Sequence, residues 1–194
     1  MLILASASPR RQELLRNARI AFRVQPADVP EVRGDHETPV QFAERLARDK
    51  ALAIFRSLQH SAEFQDGSQP LVLGADTIVV VDGQVLGKPE NDQDAFRMLR
   101  MLSGRTHEVT TGVCLLSEGV EDVRSETTQV SFDEVGADDI LGYIATREPM
   151  DKAGAYAIQG VASRWIPRIE GDYCNVVGLP VALVCRMLRE HGAL

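Results

Sequence analysis

The 194-residue sequence lacks any long apolar run, and this limits where the protein can act. No stretch approaches the roughly 20 consecutive apolar residues that a membrane-spanning helix needs. The first residues, Met1-Leu2-Ile3, begin a short apolar strand and do not show the basic and then long apolar pattern of a signal peptide. We therefore expect a cytoplasmic protein that has no membrane partner.

Cysteine is scarce and histidine is scattered. The three cysteines, Cys114, Cys174 and Cys185, are widely spaced inside apolar runs, which argues against a disulfide framework and against a zinc site. The four histidines show no spacing typical of metal ligands. The net charge of −7 argues against non-specific binding of nucleic acid, although it is compatible with a local basic pocket for a small anion.

Lysine is rare compared with arginine. The chain has 18 arginines but only three lysines, Lys50, Lys88 and Lys152. Where arginine is the default cation, a retained lysine suggests a position that needs a compact ammonium group instead of a planar guanidinium. Chance placement is the alternative for each lysine taken alone.

Two common nucleotide-binding motifs are also absent. The sequence contains no Gly-x-x-x-x-Gly-Lys-Ser/Thr loop, and no Gly-x-Gly-x-x-Gly follows a predicted strand. An ATP-using kinase or a P-loop nucleoside triphosphatase is therefore disfavoured.

The stretch from Ser6 to Arg11, which follows a short apolar strand, indicates an anion site. Ser8 and Pro9 are a typical helix start, with a hydroxyl N-cap and a proline at the first helical position. Arg10 and Arg11 then lie in the first turn, where the helix dipole disfavours a cation by about 0.3–1 kcal/mol each. Free backbone N–H groups beside arginine side chains suit a phosphate. The alternative is that both arginines point into water or pair with surface carboxylates.

A nearly continuous apolar run from Leu71 to Val81 is interrupted by one carboxylate, Asp76. A buried, unpaired carboxylate costs several kcal/mol, so Asp76 should meet a metal, a cation or several donors, or lie where the strand opens into a cleft. A turn aspartate that bonds its own backbone is the alternative. Asp82-Gly83 predicts a hairpin turn, and the returning strand could bring Lys88 towards Asp76.

The rest of the chain alternates helices, strands and hairpins. Thr38 to Gln41 is a capping box that opens a helix through about Arg56, with Lys50 at the border of its apolar face. Glu31 lies in a polar loop before that helix, and residues 59–69 are predicted to form a loose surface loop.

Further along, Asn91 is predicted to cap a helix that ends at Ser103-Gly104. Residues 165–169 and 173–177 are predicted to form a hairpin around Glu170-Gly171-Asp172. The order of elements favours an α/β or α+β fold with a mixed sheet.

These stretches, taken in order, resemble the Maf family of nucleoside triphosphate pyrophosphatases, which is related in fold to the inosine triphosphatase-like enzymes. The resemblance covers nearly the whole chain and rests on Ser6–Arg11, Arg48–Ala51, Leu73–Thr77, Leu86–Pro89, Ser103–His107, Asp151–Gly160 and Val176–Pro180. Asp151–Gly160 resembles the subgroup that acts on dTTP and UTP rather than the one that acts on 7-methylated GTP. The sequence departs from the family at Arg19, where a helix-ending glycine is common.

The resemblance implies an α/β fold, a single domain over residues 1–194 in which a mixed, twisted sheet is flanked by helices, with two lobes around a central cleft. It also implies the reaction, in which water attacks the α-phosphorus of a nucleoside triphosphate and releases the monophosphate and pyrophosphate. Such a reaction needs cations on the phosphates, a divalent metal and a carboxylate that orients the water.

Each of these needs has a candidate residue. Asp76 is the candidate base, and Glu31 with Asp76 could hold Mg²⁺ or Mn²⁺ through hard oxygen ligands. The candidate phosphate-binding residues are Ser6, Arg10, Arg11, Lys50 and Lys88, of which the two lysines join Asp76 as candidate catalytic residues. Lys152 is interpreted as a wall or structural residue.

The family match also marks Arg11, Thr77 and Gln159 as the residues that select the base. Gln159 offers both a donor and an acceptor, and Arg11 and Thr77 can add donors, so together they could match uracil or thymine. Cytosine reverses part of this pattern, so UTP and dTTP should be preferred over CTP. The alternative for Gln159 is that its side chain only satisfies backbone groups of a glycine-rich loop.

The implied partner is a small nucleoside triphosphate and not a nucleic acid, with a homodimer as the candidate assembly. Such an enzyme would limit the incorporation of unwanted nucleotides. A non-enzymatic regulator of cell division or septum formation that binds nucleotides is the alternative function, and a link between the enzyme and cell division arrest is compatible with both.

Overall fold

The computed structural model describes residues 1–59 and 69–194, so the predicted loop at residues 59–69 lies almost wholly outside the described residues. The elements follow in the order β1 (Leu2–Leu4), α1 (Pro9–Asn17), β2 (Phe22–Val24), α2 (Pro39–Gln59), β3 (Leu71–Val81), β4 (Gln84–Leu86), α3 (Asp92–Leu102), β5 (Thr106–Ser117), β6 (Val120–Ser131), α4 (Ala137–Ala145), β7 (Arg168–Glu170), α5 (Tyr173–Val177) and α6 (Val181–Glu190). Short 3₁₀ helices lie at Glu148–Asp151, Ala153–Ala155 and Val161–Trp165.

The strands form one seven-stranded sheet in the order β2-β1-β3-β5-β6-β7, with β4 paired to β3. Strand β1 pairs in parallel with both β2 and β3, whereas β3 with β4 and β6 with β7 are antiparallel. The predicted mixed sheet of an α/β fold is therefore confirmed. Among the described residues, no helix combines the length and apolar composition that crossing a membrane requires.

The chain divides into two compact units, and the division falls within the three long strands β3, β5 and β6. The first unit contains Met1–Asp76, Thr111–Glu126 and Gly178–Leu194, and the second contains Thr77–Thr110 and Thr127–Val177. The predicted arrangement of two lobes around a cleft stays a prediction.

In the first unit, helix α2 approaches the sheet unusually closely. A Cβ atom on Gly74 of β3 would lie 2.0 Å from the Ala47 carbonyl oxygen, and one on Gly112 of β5 would lie 2.3 Å from the Ala43 carbonyl oxygen. Both strands therefore need glycine where the helix crosses them, because a side chain would collide with helix backbone. This contact places the next turn of α2, which carries Lys50, beside the sheet.

The second unit has its own apolar core, built around Val79, Leu99, Tyr143 and Trp165. His107 is buried in this core, where its ring packs edge-on against Phe132 and Tyr156. Its Nε2 hydrogen-bonds the Tyr156 hydroxyl at 2.8 Å, and its Nδ1 has no hydrogen-bond partner among the described residues.

The predicted helix starts are confirmed. The Ser8 hydroxyl accepts a hydrogen bond from the Arg11 backbone N–H, and the Asn91 side chain accepts one from the Asp94 N–H. Thr38 and Gln41 bond each other reciprocally, as a capping box requires.

One predicted hairpin is wrong. Tyr173–Val177 is the short helix α5 and not a strand, and Trp165 belongs to a 3₁₀ helix. The reason is Asp172, whose Oδ1 accepts hydrogen bonds from the N–H groups of Cys174 and Asn175 and so caps a helix at this point.

Arg19 adopts the conformation that the family's glycine would favour. Its φ of 56° lies in the left-handed region, and its N–H bonds the Arg16 carbonyl after the end of α1. The departure from the family pattern therefore leaves the shape of the turn intact, at the cost of a strained non-glycine residue.

Candidate active site

A single ammonium group joins two carboxylates in the first unit. Lys50 Nζ donates to Asp76 Oδ1 at 2.5 Å and to Glu31 Oε1 at 2.7 Å. The side chains of Lys50 and Asp76 are only 11% and 10% exposed, whereas that of Glu31 is 46% exposed. The loop, the helix and the strand that carry these residues therefore converge on one buried charge cluster with an open side at Glu31.

Asp76 lies inside β3, so the alternative of a turn aspartate is wrong and the prediction that it meets a cation is confirmed. Burial raises the pKa of the Asp76 carboxyl, while the Lys50 ammonium and the Arg11 guanidinium act in the opposite direction. A carboxylate held in this balance is suited to accept a proton from a bound water.

Arg11 lies buried at the start of α1. Its Nε donates to the Gly178 carbonyl at 2.7 Å, and its Nη1 donates to the Ala75 carbonyl at 2.8 Å and to Ser6 Oγ at 3.1 Å. Burial lowers the pKa of this guanidinium. Arg11 thus does not point into water, and it ties the start of α1 to the strand residue that precedes Asp76.

Ser6 is buried and Arg10 is half-buried in the same turn, and both belong to the first unit. That this turn binds an anion stays a prediction. The structure therefore brings Ser6 together with Arg11, and Glu31 with Lys50 and Asp76. Thr77, which is half-buried, follows Asp76 directly on β3.

Lys88 and Gln159 belong to the second unit, and both are exposed. Within the described part of the chain, neither side chain makes a hydrogen bond or an ion pair. The Gln159 side chain therefore does not satisfy backbone groups of its own loop, which was the alternative. The predicted approach of Lys88 to Asp76 stays a prediction.

Lys88 borders an open surface depression of about 560 Å³. The other lining residues come from the turn before α3 and from its first turns: Gly87, Glu90, Asn91, Gln93, Asp94, Arg97 and Met98. The exposed side chain of Lys88 thus lies beside open space in its own unit.

Lys152, the third lysine, has a structural contact. Its Nζ donates to the Glu148 carbonyl and to Asp151 Oδ1, both at 2.6 Å. Two of the three rare lysines therefore use a compact ammonium to join two oxygen atoms, which supports the interpretation of Lys152 as a structural residue.

Sequence reasoning missed two kinds of supporting residue. The glycines inside β3 and β5, which admit α2 and so place Lys50, could have been suspected because glycine in a strand often marks a close approach. Tyr143 and Glu148, which contact the loop that carries Gln159, had no signal in the sequence.

The candidate metal ligands offer a partial set. Among the described residues, no group of three or more His, Cys, Asp and Glu side chains is arranged to hold a metal ion. Glu31 and Asp76 nevertheless present carboxylate oxygens around the same cation, and this hard-oxygen chemistry fits Mg²⁺ or Mn²⁺ when further ligands come from phosphates and water.

Several known proteins are similar to this chain over nearly its full length. The dTTP/UTP pyrophosphatase of Koribacter versatilis is 60% identical over 193 residues, which cover 100% of this chain and 95% of that protein. The dTTP/UTP pyrophosphatases of Syntrophomonas wolfei and Thermococcus gammatolerans are each 47% identical, over 97% and 99% of this chain and 96% and 97% of theirs. The sequence profile of the Maf-like proteins matches residues 1–191. The chain therefore belongs to the Maf family.

Proposed function

We propose that this protein is a nucleoside triphosphate pyrophosphatase that hydrolyses dTTP and UTP to the nucleoside monophosphate and pyrophosphate. The observation that carries the proposal is the buried contact between Lys50 and Asp76, beside the phosphate-type turn from Ser6 to Arg11. Relatives with the names given above match the chain over nearly their full lengths. A buried carboxylate next to several cations is what attack of water on a phosphate needs.

In the proposed reaction, the oxygen of a water molecule forms a bond to the α-phosphorus, and the bond from that phosphorus to the bridging α–β oxygen breaks. Asp76 takes the proton of the attacking water, and pyrophosphate leaves with the electron pair of the broken bond. Lys50 holds Asp76 in place and stabilises negative charge on the phosphates.

Glu31 and Asp76 would hold Mg²⁺ or Mn²⁺, with the substrate phosphates completing its ligands. The metal, when bound, would neutralise charge that develops on the phosphate oxygens. The open side of the cluster at Glu31, which is half exposed, supports this assignment because the ion and the triphosphate need access.

The phosphates would contact Ser6, Arg10, Lys50 and Lys88. The base would contact Thr77 and Gln159, and Arg11 would support both groups through the turn that it ties together. The exposed position of Gln159, without a hydrogen bond to the described residues, supports a role in contacting a ligand.

The test is pyrophosphate release from a panel of nucleoside triphosphates with Mg²⁺ and with Mn²⁺. We expect UTP and dTTP to be the best substrates and Asp76→Asn to lose about 10²-fold or more in turnover while staying folded. Asp122→Asn is the matched control, because Asp122 is a carboxylate of the same unit that pairs with Arg124 away from this cluster.

Base recognition is tested by Gln159→Ala. If Gln159 reads the base, its amide is covered by the bound nucleotide, and a mismatched pyrimidine leaves it unpaired at a cost of about 1–3 kcal/mol. Gln159→Ala removes that cost, so the preference for UTP over CTP collapses. An unchanged ratio of kcat/KM for the two nucleotides would remove Gln159 from the assignment.

The regulatory alternative makes a different prediction. A protein that only binds nucleotides to control cell division does not need a carboxylate that accepts a proton from water, which is the role proposed for Asp76. Wild-type protein that binds UTP with either metal but releases no pyrophosphate would favour that alternative over the enzyme.

A further inference from the structure

The loop that carries Gln159 is held at both ends by one pair of side chains in the second unit. At one end, the Ala157 N–H donates to the Tyr143 hydroxyl at 3.2 Å. At the other end, the Val161 N–H donates to Glu148 Oε1 at 3.2 Å. The Tyr143 hydroxyl itself donates to the same Glu148 oxygen at 2.9 Å. The two ends of the loop are therefore linked through a short, continuous chain of hydrogen bonds.

Tyr143 and Glu148, which anchor this series of hydrogen bonds, are themselves held in place. Tyr143 is 1% exposed, and its ring packs edge-on against Trp165 with centroids 5.4 Å apart. Glu148 opens a 3₁₀ helix, and its backbone carbonyl accepts a hydrogen bond from the half-buried Lys152 ammonium at 2.6 Å. The Tyr143 hydroxyl is thus placed by ring packing, and the backbone of Glu148 is held by an ammonium group.

Gly160, next to Gln159, fits against the same carboxylate. A Cβ atom at this position would lie 1.7 Å from Glu148 Oε1, so any larger residue would push the carboxylate away from Val161 and Tyr143. The φ of Gly160 is −102°, which any residue can adopt, and the need for glycine is therefore the space for Glu148.

We propose that Glu148 and Tyr143 are positioning residues that hold the 157–161 loop so that the Gln159 amide meets the pyrimidine edge in one orientation. The proposal rests on the base-reading role of Gln159 in the proposed function. A side chain that reads a base by hydrogen bonds must be held to a fraction of an ångström, because discrimination is lost when donor and acceptor no longer align.

The main test compares Glu148→Ala with Glu148→Gln. Alanine removes both acceptors, and we expect the ratio of kcat/KM for UTP over CTP to fall about 5–10-fold. Glutamine keeps an oxygen for Tyr143 and Val161, and it should keep the ratio within about 2-fold of wild type. Asp139→Ala is the matched control, since Asp139 is an exposed carboxylate of the same unit whose partner is Arg164.

Inhibition by pyrophosphate separates positioning from general damage. Pyrophosphate lacks a base, so its inhibition constant should be the same in wild type, Glu148→Ala and Glu148→Gln. A parallel change in this constant and in the UTP-to-CTP ratio would overturn the proposal, because it would mean that the variant had disturbed the phosphate site as well.

Gly160→Ala provides an independent perturbation. It should lower the UTP-to-CTP ratio as much as Glu148→Ala does. The double variant should lower the ratio no further than either single change, because removal of the Glu148 side chain leaves room for the methyl group at position 160. If Glu148→Ala fails to fold, Tyr143→Phe and Gly160→Ala decide the question, and an unchanged ratio in both would overturn the proposal.

The Gln159→Ala variant tells the two hypotheses apart. If Gln159→Ala leaves the ratio unchanged, the base-reading part of the proposed function fails. If Gln159→Ala abolishes the preference while Glu148→Ala and Gly160→Ala keep it, only the positioning role fails.

Discussion

The two units hold their candidate functional groups in opposite ways. In the first unit, Lys50, Asp76 and Glu31 are already joined at 2.5 and 2.7 Å, and Arg11 is committed to backbone carbonyls. In the second unit, Lys88 and Gln159 are exposed and make no hydrogen bond or ion pair with the part of the chain that the structure describes.

The difference follows from burial. A charge that has left water must be paired inside the protein, since an isolated buried ion costs several kcal/mol. A group that stays in water is solvated until a ligand replaces the water, so it needs no partner in advance. The charge cluster is therefore already assembled in the folded protein, as the proposed chemistry requires, whereas the exposed groups are accessible to the proposed substrate.

The same substitution in the two units gives the sharpest test of this contrast. Lys50→Met removes one member of a buried pair, and we expect it to lower the free energy of unfolding by about 3 kcal/mol and turnover by 10²-fold or more. Lys88→Met should lower turnover while changing the free energy of unfolding by less than about 0.5 kcal/mol.

Urea denaturation and pyrophosphate release measure both effects on the same samples. The contrast would be broken if Lys50→Met were as stable as wild type, or if Lys88→Met were destabilised to the same extent.

The second unit contains a buried histidine, His107, that stays neutral instead of pairing with an opposite charge. Burial lowers the pKa of His107 to about 4, from an ordinary value of 6.5. Between pH 6.5 and pH 4, the unfolded chain therefore binds a proton at His107 that the folded protein does not bind. The free energy of unfolding is highest above pH 6.5 and decreases as the pH falls from 6.5 towards 4. The loss through this window is about 3 kcal/mol.

We expect His107→Gln to lack this component of the pH dependence, whatever its stability at pH 7. The chain has a single tryptophan, and Trp165 lies in the same core, so its fluorescence reports unfolding of this unit. His36→Gln, which changes an exposed histidine, should keep the wild-type profile. Equal slopes for wild type and His107→Gln between pH 6.5 and 4 would contradict the assignment.

A smaller effect is expected from Lys88→Arg, which keeps the charge but changes the geometry. A planar guanidinium cannot reproduce the three donors of an ammonium at one point, so we expect about a tenfold loss of pyrophosphate release with an unchanged melting temperature. Arg105→Lys, an exposed cation of the same unit paired with Asp82, serves as the control. Full activity of Lys88→Arg would mean that the scarcity of lysine carries no functional meaning at this position.

The smallest expected effect is a gain in stability from Arg19→Gly in the first unit. Relief of the left-handed conformation is worth about 1 kcal/mol, and part of it is offset by the flexibility of glycine in the unfolded chain. We expect a net gain of about 0.5 kcal/mol and unchanged turnover, measured by urea denaturation and pyrophosphate release. A loss of stability would mean that the arginine side chain makes a contact that outweighs the strain.

Much of the first unit's site could be predicted from local signals. A carboxylate in an apolar run marked Asp76, a rare lysine at the border of a helix face marked Lys50, and a serine followed by proline marked the start of α1. Each signal is local because burial and helix capping act on consecutive residues.

The second unit was harder to predict. The candidate Gln159 is indicated only by family resemblance, because an exposed side chain leaves no pattern in composition or spacing. The strand predicted at residues 173–177 is a helix instead, because Asp172 caps it and because buried Asn175 bonds the Val109 carbonyl and Thr128 Oγ1, which are far away in the sequence.

By itself, the sequence determined the helix caps, the hairpin turn at Asp82-Gly83 and the mixed order of helices and strands. It also indicated that Asp76 and Lys50, as charged residues at buried positions, would each need a partner. Only the tertiary structure decided that Lys50 is the partner of Asp76, 26 residues away, and that Glu31 shares it. The physical reason is that local signals report what a residue needs, whereas the partner depends on how closely α2 packs on β3. That approach is set by the absence of a side chain at Gly74.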